Sequence, residues 1–207
     1  MLNRRLASLL AAVTVAGLAA TGCAEQSAAV RVDDATVSRS DFEDQLDLFY
    51  ENDALRSAVF QSDIDRAQLR GEAAASYTQP YAAAIAGLNI EFLLTSAVLD
   101  DEGIELTDDH RTAAERFVED EFAIEADTLP DDFRDRLIDQ AAAVQLLQEE
   151  LGGQGFNDAM VARYEAADID VSSQYGTWDP NQFTVTSPSG PAPAPGTAGG
   201  MPELTTG

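Results

Sequence analysis

A mainly helical domain with a small β element joining its two ends is the fold that the sequence predicts, and three observations predict it. Apolar residues make up 45% of the 207-residue chain, enough to build a real core and too many for wholesale disorder. Between residues 40 and 166 the apolar positions recur at helical spacing, bounded by capping and stop signals. Two short extended fragments, Val30–Ser38 and Asp168–Val171, stand at opposite ends of that helical stretch. Strands this short are marginal alone, so the two fragments are expected to pair with each other.

Each element follows from local chemistry. Val30-Arg31-Val32 and Thr36-Val37-Ser38 read as brief strands around the acidic turn Asp33-Asp34. Ser40-Asp41-Phe42-Glu43 then announces a helix, since Ser40 can accept from the backbone three residues on while Glu43 reaches back. Phe42, Leu46, Phe49 and Tyr50 fall on one face of it. Short helices are expected around 54–60 and 64–75. Pro80 suits the first turn of a long helix to about Glu102, with Ile85, Leu88, Phe92, Thr95/Ser96 and Leu99 as its apolar stripe. Gly103-Ile104 is a left-handed stop with a trailing hydrophobic residue.

Thr107 caps the next helix, with Asp108 and Asp109 at its positive end. That helix presents Ala113, Ala114, Phe117, Val118 and Phe122. Pro130 opens another, carrying Phe133, Leu137, Ala141, Val144 and Leu147 down to Gly152-Gly153. A short helix near Asp158–Ala166 leads into the extended Asp168–Val171, then Tyr175-Gly176-Thr177-Trp178-Asp179-Pro180. The helical domain is accordingly expected over 30–180, between a tether at 23–29 and a flexible Pro/Gly-rich tail at 181–207.

The first 22 residues read as a leader. Arg4 and Arg5 form a positive start, and Leu6 to Ala20 is a 15-residue run of mostly Leu, Ala and Val, short for a membrane span. Ala20-Thr21-Gly22-Cys23 resembles a bacterial lipobox, with Ala20 where Leu is commoner. In that reading Cys23 takes a diacylglyceryl group and becomes the new N-terminus. Cys23 is the one cysteine of the chain, and lipidation accounts for its place and its small-residue neighbours together. The competing reading is an ordinary secretory signal followed by a chance cysteine. The expected location is the outer face of the cell membrane, held by lipid.

Charge and inventory narrow the function. The chain has 37 acidic and 12 basic residues, a formal charge of −25; every basic residue is Arg. Cleavage before Cys23 removes Arg4 and Arg5 and takes −25 to −27. Such a surface repels phosphates, so nucleic acid is not an expected partner. His110 is the single histidine and reads as a solvated residue in a helix first turn, which leaves neither a histidine metal site nor a Ser–His–Asp set. No phosphate-cradling Gly loop precedes a helix. The pairs Asp33/Asp34, Asp100/Asp101, Asp108/Asp109 and Asp131/Asp132 sit at turns and helix ends, where structure explains them. No catalytic residue, metal ligand or cofactor is therefore assigned.

The order of the pieces carries a resemblance. Val30-Arg31-Val32-Asp33-Asp34-Ala35-Thr36-Val37-Ser38-Arg39-Ser40-Asp41-Phe42 resembles the opening of SurA-type and PrsA-type extracytoplasmic foldases. Leu88–Leu106, with Leu93-Leu94, Ala97, Gly103-Ile104 and Thr107-Asp108, is similar to that family's long helix and its exit. Asp168–Val171 and Tyr175–Pro180 look like the closing strand and Gly-Thr-Trp ending of actinobacterial lipoproteins of this group. The resemblance implies a SurA-N-like chaperone domain closed by both chain ends, often with a parvulin prolyl-isomerase domain inserted. Here only sixteen residues, Gly152 to Ala167, separate the Pro130 helix from the closing strand, too few for that insert, and the histidines of its site are missing.

The expectation is thus a lipid-anchored, non-enzymatic chaperone-like protein that binds unfolded or exported polypeptides. The alternative is a dedicated envelope subunit docking one partner. Which residues bind peptide is not legible, because core stripes and groove stripes look alike in sequence. One consequence is directly measurable: Cys23→Ser should release the protein from membranes or leave an uncleaved precursor. A variant that fractionates with the membrane at the parent's mass would refute the anchor.

Overall fold

The two extended fragments that flank the helical stretch meet in one sheet. The computed structural model describes residues 28–60, 66, 69–71, 76–122 and 128–187. Strand β1 (Ala28–Val32) turns through Asp33-Asp34 into β2 (Ala35–Ser38), and its other edge pairs antiparallel with β3 (Ile169–Val171). The order is β2-β1-β3, with Val30 opposite Val171 and Val32 opposite Ile169. The expected pairing of the end fragments is present. Val30 and Val32 point into the core while Arg31 between them is half-exposed, the alternation of a sheet covered on one face. The tight turn places Asp33 at φ 52°, a left-handed conformation that Asp tolerates better than most residues.

Asp33 also ties the sheet to the helices. Its N–H donates to the Asp168 carbonyl (2.9 Å), and its Oδ1 accepts from the Asp168 N–H (2.9 Å). Its Oδ2 accepts from the Arg163 guanidinium. Arg31 Nη1 donates to Asp168 Oδ2 at 2.9 Å, and Arg163 Nε lies 3.6 Å from Asp101 Oδ2. The Asp168 N–H, aided by Arg163 and Arg31, holds the Asp33 carboxyl below its ordinary range against a smaller desolvation cost.

Helix α1 (Arg39–Glu51) starts on Ser38, not Ser40: Ser38 Oγ accepts the Asp41 N–H at 3.1 Å. The residue leaving β2 is still extended (φ −67°, ψ 159°) as a cap must be, whereas Ser40 is already helical. Phe42, Leu46 and Phe49 are buried as expected, Gln45 joins them, and Tyr50 is half-buried. Helix α2 (Asp53–Phe60) agrees with the expected 54–60. The helix expected at 64–75 lies largely outside the described residues. At 69–71 the chain instead forms a β-bridge, Arg70 with Tyr77, with the Thr78 N–H donating to the Leu69 carbonyl.

Helix α3 (Gln79–Glu102) carries Pro80 in its first turn and stops on Gly103 at φ 68°. The Ile104 N–H reaches the Leu99 carbonyl and the Gly103 N–H that of Asp100, so the stop satisfies the last carbonyls as expected. The single stripe does not hold. Tyr81–Ala86, Asn89, Ile90, Leu94, Thr95, Val98 and Leu99 are buried almost all round the helix, while Leu88 and Phe92 are half-buried and Ser96 is exposed. The reason is that α1, β1, β5 and α5 pack against it from different sides. By length and composition α3 could cross a bilayer, but 67% of its apolar window is buried inside the domain, as a core helix requires.

Helix α4 (Asp108–Phe122) is capped by Thr107 as expected; it buries Ala114 and Val118, keeps Phe117 half-buried and exposes Ala113. Helix α5 (Asp131–Ala166) does not end at Gly152-Gly153. Gly152 (φ 71°, ψ 162°) breaks its path, and a second limb resumes at once, so the helix expected at 158–166 is the end of this limb. Phe133, Ile138, Val144 and Leu147 are buried on the first limb, Phe156 and Met160 on the second. The chain ends its described course in a hairpin of β4 (Thr177–Asp179) and β5 (Thr184–Thr186). Residues 28–29, expected in the tether, belong to β1, and residues 181–187, expected in the tail, complete this hairpin. Helix makes up 67% of the described residues, so the fold is mainly α with a small antiparallel sheet.

Asp33→Ala should destabilise the domain by about 2 kcal/mol in urea unfolding, since it removes the nearer of the two carboxylates on Arg163 and the acceptor for the Asp168 N–H. Asp33→Asn, which keeps the turn conformation and an acceptor for Asp168, should cost less than half of that. The Asp33 carboxylate, with its lowered pKa, stabilises above the ordinary value of 3.8 and loses that effect as pH falls, so the gap between parent and Asp33→Ala should close at acid pH.

Candidate functional site

Residues singled out by sequence are dispersed. Cys23 lies outside the described residues. His110 sits in the first turn of α4, where its Nδ1 accepts the Thr107 N–H (3.2 Å) and Thr107 Oγ1 accepts the His110 N–H (3.4 Å). It completes a helix cap, as Glu does in a capping box. Asp108 and Asp131 pair with Arg111 and Arg134 one helical turn on. Among the described residues no group of three or more His, Cys, Asp or Glu could hold a metal ion. A cleft of about 590 Å³ between α4 and α5 is lined by Arg111, Arg134, Asp135 and Asp139 among others. Its charges cancel locally, with Arg111 on Asp139 at 2.6 Å and Arg134 on Asp135 at 3.3 Å.

A different set of residues converges where α3, the second limb of α5 and the β4–β5 hairpin meet. The hairpin tip is organised by Asp179, whose Oδ1 accepts the Asn181 N–H (2.9 Å) and whose Oδ2 accepts from Gln182 Nε2 (3.0 Å). That turn leaves Phe183 at φ 49°, a left-handed conformation that costs an aromatic residue roughly 1 kcal/mol. The result is a ring stack. Tyr164 of α5 lies 5.9 Å from the Trp178 ring at 13° and 5.1 Å from the Phe183 ring at 28°. Tyr164, Trp178 and Phe183 are all half-buried.

Beside Tyr164 stands Glu91 of α3. Burial alone pushes its carboxyl up to about 7 from the ordinary 4.5. No hydrogen bond or ion pair reaches that carboxylate among the described residues, and its charge in turn adds to the burial that raises the Tyr164 phenol. Glu91 is half-buried, and the partial desolvation there disfavours its charged form. The sequence did carry a signal for it: Glu91 is the one charged residue between Tyr81 and Leu99. Nothing local marked Tyr164 as its neighbour.

Comparison of the chain with protein-family models, curated proteins and solved structures finds no match.

Glu91 gives the domain a specific pH response. Between pH 4.5 and about 7 the folded protein keeps a proton on Glu91 that the unfolded chain has released, so stability falls as pH rises through that window, by about 3 kcal/mol at most. Glu91→Gln should remove that fall. Its Tm should match the parent's near pH 4.5 and exceed it by roughly 5 °C at pH 8; a parent melt that is flat from pH 4.5 to 8 would contradict the burial argument.

Proposed function

We propose that this is a lipid-anchored extracytoplasmic chaperone-like protein that binds unfolded or newly exported polypeptides without isomerase chemistry. The observation that carries the reading is the closure of the domain by its two ends, Val32 opposite Ile169. The resembled foldase domains are completed in that way, and the short path from Gly152 to Ala167 is helix, with no inserted domain. The anchor is Cys23, which places the body at the outer face of the cell membrane. The half-buried ring stack offers a side chain of an extended segment a place to dock. The acidity of the chain, −25 overall, repels nucleic-acid phosphates, which supports a polypeptide rather than a nucleic acid as the partner.

A dedicated envelope subunit is the second reading, and one observation favours it. Among the described residues Val161, 45% exposed, is the one exposed large hydrophobic. General holding of unfolded chains uses a broad apolar face, whereas one partner can be recognised through a small site. The two readings separate in an aggregation assay: a general holdase slows the aggregation of several unrelated denatured proteins at modest molar excess, and a dedicated subunit leaves them all unaffected. In either case a proline peptide should isomerise at its uncatalysed rate; acceleration would overturn the non-enzymatic assignment.

A further inference from the structure

We propose that the end of the domain where β1 begins, which exposes Arg39, Ser40, Ser173 and Gln174, lies against the phospholipid headgroups, and that the Asp33–Asp168 end faces away from the membrane. This rests on the lipid-anchor reading above and names the surface that the membrane covers.

Tether length sets the constraint. Four residues, Ala24-Glu25-Gln26-Ser27, separate Cys23 from Ala28, the first residue of β1. The five Cα steps from Cys23 to Ala28 reach about 18 Å when fully extended. Whatever stands beside Ala28 is therefore held close to the headgroups. The sheet identifies that surface. Ala28 pairs with Ser38, the residue before α1, and the Ala29 carbonyl accepts the Ser172 N–H at 2.9 Å. The chain then turns at 172–175, where the Tyr175 N–H donates to the Ser172 carbonyl at 2.8 Å. The start of α1 and this turn accordingly share one end of the sheet, and Arg39, Ser40, Ser173 and Gln174 are exposed there.

Charge selects the same face. Arg39 is exposed and, among the described residues, paired with no carboxylate, so its guanidinium can donate to lipid phosphates. Its acidic neighbours on α1 are Asp41 and Glu43, and Glu43 accepts the Tyr175 hydroxyl at 3.2 Å. The opposite end of β1 lies about 16 Å away along the strand. There Asp33, Asp34, Asp101 and Asp168 gather, because Arg163 joins Asp33 to Asp101 and brings the end of α3 to the turn. The two arginines of that end, Arg31 and Arg163, are both committed to aspartates. Turning it toward the bilayer would set an acidic cluster against lipid phosphates and draw the tether out to nearly its full length. A client then reaches the domain from its sides or from the acidic end.

Lipidation consumes the one native thiol, Cys23, so an introduced cysteine can carry a fluorophore at a chosen place. Ser173→Cys and Asp34→Cys, both at exposed positions, would be labelled in the processed lipoprotein. Each would be reconstituted into vesicles of phosphatidylcholine and phosphatidylglycerol that carry a headgroup-linked quencher. Given the length of β1, the label at 173 should be quenched about threefold more than the label at 34. Arg39→Glu should narrow that ratio, and a Gly/Ser insert of about ten residues between Ser27 and Ala28 should abolish it. Equal quenching at the two positions with the native tether, stronger quenching at 34, or a ratio unmoved by either change would overturn the inference. Flotation with the vesicles reports separately on the anchor. Protein that floats with equal quenching keeps the lipid-anchor reading and loses the orientation; protein that does not float loses both.

Discussion

Asp33 and Asp168 are 135 positions apart, and the bonds between them close the whole helical stretch into one loop. Bringing such distant segments together carries an entropic cost that grows only slowly with loop length, but it must still be offset by what the closure buries. Val30, Val32 and Val171 supply that burial against the helices, and the Asp33–Arg163 and Arg31–Asp168 pairs fix the register. A slip of one residue would turn both valines of β1 to solvent. Because Arg163 stands on the second limb of α5, one turn before the end of the helix, the same clasp also orients Tyr164, its neighbour in sequence.

The second constraint is α3, a helix that is apolar on nearly every side and so must be surrounded. Its polar exceptions are handled in three ways. Asn89 pairs with Gln45 of α1 at 2.7 Å, and Thr95 returns its hydroxyl to the Glu91 carbonyl and accepts from Gln140 at 3.1 Å. Tyr81, fully buried, donates to the Leu46 carbonyl at 2.8 Å. Glu91 has no such partner. Glu91 is half-buried where Asn89, Thr95 and Tyr81 are fully buried, so the helix can leave its carboxylate unmatched at the edge of the core.

The hairpin and Glu91 concentrate local costs in stability. The Phe183 backbone is held in a costly conformation by the Asp179 turn, and the Glu91 carboxylate is held where water solvates it poorly. Both costs fall on the same few residues, around rings that a conventional core would have buried completely. The rest of the domain can sustain this because its core is continuous from the sheet through α1, α3 and α5.

Most of the helices, the Gly103 stop and the meeting of the two ends were legible in the sequence, because capping, a left-handed glycine and helical spacing act over a few residues. Phe42, Leu46 and Phe49 on α1 and the strand pairing at Val32 followed from that local chemistry. Other things did not, among them the expected end at Gly152-Gly153, where the chain re-enters helix at once because the second limb packs Phe156 and Met160 into the core. Ser38 rather than Ser40 became the cap, because the path of β2 decided where the chain was still extended. The stripe on α3 dissolved, because neighbours on several sides bury residues that spacing alone assigns to a surface. The Glu91 site was visible only as a lone charge in an apolar run. Joining it to Tyr164, 73 positions on, and to the hairpin rings required the fold, since sequence specifies local conformation directly but sets distant side chains together only through packing.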